Sequence, residues 1–181
     1  LGYTPLNLAC MNNYKDIVEA LLKKNPNITI SDNNKNTPLH HACENNSVDS
    51  IKLLLNHKDI NNILNLQNDE GDTPLNLAIK NNSQASIEAL LEKEPNIIKK
   101  EHNITVSDNN TNTLLHYACK QNDADENNYL EIVKDLLSVE KINDILNLQN
   151  SKGNTPLHYA CKYHQLEILK ILLKKKEINV N

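Results

Sequence analysis

Three histidine–cysteine pairs are the residues of this chain best suited by type and spacing to metal binding or catalysis. In each pair the cysteine follows the histidine by three positions, so both lie on one face of a helix: His40 and Cys43, His116 and Cys119, His158 and Cys161. This spacing suits two zinc ligands, or a thiol beside its base. Successive pairs belong to different copies of a repeated phrase, however, too far apart to complete one tetrahedral site. No orienting third group or oxyanion pocket accompanies them. We predict structural roles, with no metal, cofactor or catalytic residue.

A cluster of carboxylates is the second candidate for chemistry. Asp69, Glu70 and Asp72 stand within four residues of one another, a density that suits acid–base catalysis or cation binding. The cluster lies between two repeated phrases, where a turn is expected, and charges at a turn are usually solvated. The three scattered glycines cannot form a phosphate-binding loop. We therefore predict an exposed charge cluster without catalytic function.

Composition excludes several classes of partner. The 181 residues carry a net charge of −4, with 19 lysines and no arginine, whereas nucleic-acid binding favours a basic face and arginine. No apolar run approaches the roughly 20 residues that span a bilayer. The four cysteines occupy equivalent places in different repeats and there is no secretory signal, which favours a reducing compartment. We expect a cytoplasmic protein, or one in a host-cell cytosol if it is a secreted effector. The sequence is also rich in asparagine, with 32 residues.

One phrase occurs five times along the chain. Its copies are TPLNLAC (4–10), TPLHHAC (37–43), TPLNLAI (73–79), TLLHYAC (113–119) and TPLHYAC (155–161). The threonines that open them are 33, 36, 40 and 42 residues apart. Repetition at this period indicates stacked modules, each too small to bury its own apolar face.

At these phrases the chain resembles the ankyrin repeat family, whose signature is Thr-Pro-Leu-His-x-Ala. The resemblance implies an all-α repeat fold, a solenoid of about five helix-turn-helix repeats joined by β-hairpin-like loops. It covers nearly the whole chain, which we treat as a single domain over 1–181 and expect to be a fragment of a longer protein. The approximate repeats are 1–31, 32–67, 68–107, 108–149 and 150–181. The family also implies that the histidines tether neighbouring hairpins and that the cysteines are small core residues. Asparagine replaces the histidine at Asn7 and Asn76, where it can also serve as a tether.

Within a repeat, the threonine is predicted to cap the first helix and the proline to occupy its first position. In repeat two this helix should span 38–45. The second helix should bury Ile51, Leu54 and Leu55. In repeat one, the spacing of Ile17, Val18, Leu21 and Leu22 likewise predicts one buried helix face.

The turn between the two helices calls for a residue with positive φ, where the family uses glycine. Asn13, Asn46, Asn82 and His164 occupy this position, and asparagine tolerates positive φ better than most residues. The hairpins also use glycine, at Gly71 and Gly153, but repeats two and four have Lys35 and Thr111 instead. Because threonine is β-branched and disfavours positive φ, we expect a rebuilt turn with Asn110 in the left-handed conformation.

Four insertions distinguish the repeats. We predict that 59–64 and 141–146 form an extra helical turn after the second helix, and that 121–128 form a solvated loop. A further insertion lies at 97–102. A tailored binding edge and neutral drift in tolerant loops explain these insertions equally well.

The resemblance implies a non-catalytic protein-interaction module that binds its partner with the hairpin tips and the exposed flanks of the first helices, a surface we call the concave face. Two alternatives are a structural spacer in a longer array and the substrate-recognition domain of an enzyme or effector whose catalytic domain lies outside the chain. We expect a monomer that binds a protein and neither nucleic acid nor membrane. Carried over by position, the binding residues are Tyr3, Met11, Asn12, Asn33, Asn34, Asn36, Glu44, Asn45, Asp69, Glu70, Asp72, Lys80, Asn81, Asn109, Asn110, Asn112, Lys120, Gln121, Ser151, Lys152, Asn154, Lys162 and Tyr163.

Overall fold

The structure is a computed structural model that describes residues 2–93, 106–120 and 126–181. The chain forms two compact units, Leu1–Pro95 and Asn96–Asn181. Eleven α-helices lie within the described residues, which contain no strand longer than the single antiparallel bridge between Ser107 and Thr113. The all-helical repeat fold is therefore confirmed. The single domain and its repeat boundaries stay predictions.

In the first unit, three helix pairs follow one another: α1 (Pro5–Met11) with α2 (Lys15–Leu22), α3 (Pro38–Glu44) with α4 (Val48–Leu55), and α5 (Pro74–Lys80) with α6 (Gln84–Lys93). First helices pack on first helices and second helices on second helices, so α3 contacts α1 and α5 while α4 contacts α2 and α6. Each layer thereby buries apolar faces that a lone pair would expose.

The second unit repeats this arrangement. Its helices are α7 (Leu114–Lys120), α8 (Glu126–Leu137), the short α9 (Asn143–Leu146), α10 (Pro156–Lys162) and α11 (Leu166–Leu172). Here α7 packs on α10 and α8 on α11. None of the helices within the described residues combines the length and the apolar character that a membrane crossing requires.

The first helices begin as the sequence predicts. Thr4, Thr37, Thr73 and Thr155 have extended backbones and accept a hydrogen bond from the N–H three residues on, with proline at the first helical position. This satisfies one of the amides that a helix start leaves without a partner. The helix predicted over 38–45 ends one residue earlier, because Asn45 has already left helical geometry.

The turn within each pair also forms as predicted, with φ of 52° at Asn13, 52° at Asn46, 56° at Asn82 and 58° at His164. The sequence did not reveal a second function of the asparagines. The Asn13 Oδ1 accepts hydrogen bonds from the N–H and hydroxyl of Ser50, and Asn46 Oδ1 accepts the same pair from Ser86 at 3.1 and 2.8 Å. Each asparagine therefore caps the second helix of the next repeat, which a glycine cannot do.

The prediction for the hairpin of repeat four is wrong. Thr111 itself is left-handed, with φ of 62°, as Lys35 is at 60° in repeat two, and Asn110 is not. Asp108 imposes this geometry, because its Oδ1 accepts from the N–H groups of Asn110 and Asn112 and its carbonyl accepts from Thr111 N–H. Because Asn110 and Asn112 are both held by Asp108, the β-branched Thr111 between them adopts the unfavourable left-handed conformation.

The strain at Thr111 predicts a stabilising substitution. Thr111→Gly should raise the free energy of unfolding by about 1 kcal/mol, because glycine adopts positive φ without a steric penalty. Thr111→Asn should recover part of this gain. Urea unfolding of the three proteins measures the effect, and a Thr111→Gly protein no more stable than the parent would contradict the proposed strain.

The insertions are confirmed in part. An extra helical turn follows the second helix at Ile60–Asn62 in the first unit, and at Glu140–Ile142 with α9 in the second. The loop predicted over 121–128 is wrong at its end, because α8 already begins at Glu126. Its earlier part and the insertion at 97–102 lie outside the described residues.

The core consists of small and branched apolar side chains. Ile51, Leu54 and Leu55 are buried as predicted, and Leu39 and Cys43 join them without exposed surface. The predicted face of α2 is only partly correct, since Val18 is buried while Ile17 is 50% exposed.

Candidate functional site

His40 connects its own helix to the next hairpin, as predicted. Its Nδ1 accepts from Thr37 N–H at 3.1 Å, and its Nε2 donates to the carbonyls of Leu66 at 3.0 Å and Asp72 at 3.2 Å. These partners fix the neutral tautomer with the proton on Nε2. Burial lowers the pKa of His40 to about 4.

The second unit contains the same tether. His116 accepts from Thr113 N–H at 3.1 Å and donates to the Asn154 carbonyl at 3.2 Å. Burial lowers the pKa of His116 as well. Asparagine does not replace this tether in repeat one, where both amide atoms of Asn7 are buried without a hydrogen-bond partner among the described residues. The expectation that asparagine would tether is therefore wrong at Asn7.

The cysteines are mostly core residues, as predicted. Cys10, Cys43 and Cys119 are buried, and burial raises the pKa of all three thiols, that of Cys10 to about 12. Thiols held protonated in this way are poor nucleophiles. Cys161 differs from the prediction, because it is exposed. Within the described part of the chain, no three histidine, cysteine or acidic side chains lie close enough to hold a metal ion.

Each hairpin is organised around the carboxylate or amide at its start. Asp32 Oδ1 accepts from the N–H groups of Asn34 at 2.9 Å and Asn36 at 2.8 Å. Asn68, Asp108 and Asn150 do the same in their hairpins. These residues hold the hairpin tips in position.

Asp32 and Asp108 each use their second carboxylate oxygen to bond the side chain nine positions later, in the first helix of the same repeat. In repeat four Tyr117 donates its hydroxyl proton to Asp108. Burial alone would raise the pKa of Asp108, but hydrogen bonds from Tyr117 and Asn112 outweigh it and lower the pKa. In repeat two the partner is a histidine, with His41 Nε2 at 3.1 Å from Asp32 Oδ2 and both side chains 3% exposed. The other ring nitrogen of His41, Nδ1, is buried without a hydrogen-bond partner among the described residues.

Neighbouring hairpins are joined by residues that we predicted to contact a partner. The Asn36 Oδ1 accepts from Asn68 Nδ2 at 2.8 Å, and the Asn34 carbonyl accepts from Asp69 N–H at 2.9 Å. In the second unit Asn112 and Asn110 make the corresponding bonds to Asn150 and Ser151. The amides of Asn36 and Asn112 therefore align successive tips.

The acidic cluster of repeat three is not wholly solvated, which corrects that prediction. Asp72 has no exposed surface, and its Oδ2 lies 2.8 Å from Lys80 Nζ. The exposed Glu70 lies 3.4 Å from the same ammonium group. Burial alone would lower the pKa of Lys80, but the two carboxylates outweigh it and raise the pKa. Asp72 therefore does not belong to the exposed surface where we had placed it.

A groove of about 320 Å³ in the first unit brings several predicted residues together. Seven of them line it: Tyr3, Met11, Asn34, Asn36, Glu44, Asn45 and Glu70. The groove also contains four residues that the sequence analysis missed: Asp32, His41, Asn68 and Leu77. Asp32 and His41 are nine residues apart, as are Asp108 and Tyr117, and this shared spacing is the sequence pattern that could have identified them.

The remaining predicted residues are distributed over both units. Asn12, Asn33, Asp69 and Asn81 are exposed in the first unit, where Lys80 is half-buried. In the second unit, Asn109, Asn110, Ser151, Lys152 and Lys162 are exposed, while Asn112, Lys120, Asn154 and Tyr163 are half-buried. Gln121 lies outside the described residues. The Tyr163 ring stacks on Tyr159 at 5.9 Å and carries the Lys162 ammonium 5.5 Å from its centroid.

Comparison with known proteins agrees with this geometry. A family model described as ankyrin repeats, in three copies, matches residues 1–65, 62–144 and 97–181. Comparison with curated proteins gives no significant match. Since the family matches extend over the whole chain, and threonine caps, left-handed turns and histidine tethers recur along it, the chain belongs to the ankyrin repeat family.

Proposed function

We propose that this chain is a non-catalytic module that binds a partner protein through the concave face. Ankyrin repeats generally mediate protein–protein interactions. The observation that carries the proposal for this chain is the groove of the first unit, which gathers seven of the predicted residues around one polar depression. Hairpin hydrogen bonds fix the backbone of Asn34, Asn36 and Glu70, and Met11 and Glu44 end helices, so little ordering entropy opposes binding.

The second unit contributes a surface of different character. Lys152 and Lys162 are exposed, and the Lys162 ammonium lies over the ring of the half-buried Tyr163. Tyrosine is among the residues that carry most binding energy in interfaces. We propose that this surface also contacts the partner, that the protein is a monomer, and that it acts in the cytoplasm or, as a secreted effector, in a host-cell cytosol.

Affinity capture with matched variants tests the proposal. One variant carries Met11→Ala, Asn34→Ala and Glu70→Ala in the groove; another carries Lys152→Ala and Lys162→Ala. The control carries Asp16→Ala, Lys52→Ala and Glu92→Ala, exposed positions on α2, α4 and α6. The Asn34→Ala change keeps the carbonyl that joins neighbouring hairpins.

Proteins recovered from a lysate of the source cells are quantified by mass spectrometry. We expect at least one protein to be retained by the parent and the control but recovered about tenfold less by the groove variant. Equal recovery by parent and groove variant, or equal loss in the control, would overturn binding through this groove.

A further inference from the structure

The groove of the first unit has an unusual set of chemical groups. Three carboxylates line it, those of Asp32, Glu44 and Glu70, and its described lining contains no lysine, although the ammonium of Lys80 lies 3.4 Å from Glu70 Oε2. Asp32 is committed to His41 and to its own hairpin. The exposed Glu44 has neither a hydrogen bond nor an ion pair from its carboxylate within the described residues. An acidic depression of this kind repels anions and attracts cations.

His41 provides a second, independent observation. Its Nε2 donates to Asp32, so in the neutral ring Nδ1 is an acceptor. That nitrogen is buried without a partner in the described part of the chain, on a residue that lines the groove. A buried acceptor without a donor carries a desolvation penalty, and a bound N–H group would relieve it. The Tyr3 ring stands edge-on to His41, with centroids 5.3 Å apart, and is half-exposed, so it offers an aromatic face to a cation.

One repeat further on, the chain has a lysine of its own at the helix end, beside two hairpin carboxylates that stand where repeat two has Asn34 and Asn36. There the ammonium of Lys80 lies between Asp72, at 2.8 Å, and Glu70, at 3.4 Å. The helix-end position of Lys80 is occupied by Met11, Glu44, Lys120 and Lys162 in the other repeats. Repeat two alone therefore has an acidic residue, Glu44, where repeats three to five have a lysine.

We propose that this groove binds a lysine or arginine side chain on an extended segment of the partner protein. Its charged end lies between the carboxylates of Glu44 and Glu70 and donates a hydrogen bond to His41 Nδ1. The inference rests on the proposed function and specifies the partner's chemistry. The segment is positively charged at this point, and a phosphate backbone is excluded from the same groove by the carboxylates.

The test uses the full chain, labelled with ¹⁵N, and synthetic peptides as probes. These are acetyl-Gly-Gly-Lys-Gly-Gly-amide, its arginine counterpart, and the same peptide with Nε-acetyl-lysine, which keeps the shape and removes the charge. We expect the lysine or arginine peptide to shift the amide signals of Glu44, Asn45 and Glu70 saturably below about 10 mM. The acetyl-lysine peptide should bind at least about tenfold more weakly.

Three variants locate the interaction. Glu44→Gln should weaken binding of the cationic peptides about threefold to tenfold, and His41→Tyr about threefold. The tyrosine variant should fold, because Tyr117 occupies this position in repeat four and bonds Asp108. Glu92→Gln, an exposed change on α6, should bind as the parent does.

The proposal is overturned if no cationic peptide gives saturable shifts, if the acetyl-lysine peptide binds equally well, or if Glu44→Gln binds like the parent. Any of these results leaves partner capture by the concave face standing. Conversely, the cationic peptides could bind as expected while the groove variant captures the partner as well as the parent does. That result would support the cation site and refute its use in partner binding.

Discussion

The parent protein should be more stable than its His40→Asn variant at pH 7.5 by about 2–4 kcal/mol. The substitution removes a fully buried ring that bonds Thr37, Leu66 and Asp72. Asparagine is the matched replacement because Asn7 and Asn76 occupy this position in repeats one and three. The fold therefore accommodates it, but Asn7 makes no side-chain hydrogen bond among the described residues, so we expect the tether to be lost.

This difference in stability should also depend on pH. Burial lowers the pKa of His40 to about 4 in the folded protein, from 6.5 in the unfolded chain. Between these values the unfolded chain binds a proton that the folded protein does not, so stability falls as the pH falls. The stabilisation is complete above pH 6.5 and is lost progressively towards pH 4. The loss is on the order of 3 kcal/mol.

Urea unfolding of both proteins from pH 7.5 to 4 measures the effect. His116 and the carboxylates are present in both proteins, so their contributions cancel in the difference. A stability difference that stays constant over this range would show that the ring is not held neutral by burial, and would contradict the tether.

The elements of this fold could be predicted from local chemistry, because each depends on a few adjacent residues. Thr37 and Pro38 determine a helix start, and the position of Asn46 determines a left-handed turn. The errors arose where a side-chain hydrogen bond or ion pair, rather than a residue's own conformational preference, decides the outcome. Thr111 is left-handed because Asp108 holds both its neighbours, and Asp72 is buried because Lys80 reaches it from the next helix.

The candidate site shows the same limit. Repeat position alone predicts that Glu44 and Asn45 lie at the concave face, because that position is fixed by the end of α3. It does not show which side chains of the face have already formed bonds within the protein. The Asn36 amide is used between hairpins and the Glu44 carboxylate is not, a distinction that depends on residues 30 or more positions away.

Asn46→Gly should destabilise the protein by about 1 kcal/mol, although glycine is the family's residue at this turn. Glycine relieves the cost of positive φ, worth about 1 kcal/mol. It also removes the acceptor for the Ser86 N–H and hydroxyl, which lie in α6 without exposed surface. The Ser86 N–H keeps the Ser83 carbonyl as an acceptor at 3.0 Å, so the hydroxyl is the donor that loses its partner, and a buried donor without a partner costs about 1–3 kcal/mol. The lost hydrogen bonds therefore outweigh the relieved backbone.

The same substitution in repeat five should have the opposite sign. His164 occupies the equivalent turn with φ of 58°, is exposed, and makes no side-chain hydrogen bond among the described residues. His164→Gly relieves the backbone and removes nothing, so it should stabilise by about 1 kcal/mol. Asn46→Asp, which keeps an acceptor oxygen, should lie between the parent and Asn46→Gly. If both glycine variants were more stable than the parent, φ alone would govern this turn, and the cap between repeats would contribute nothing measurable.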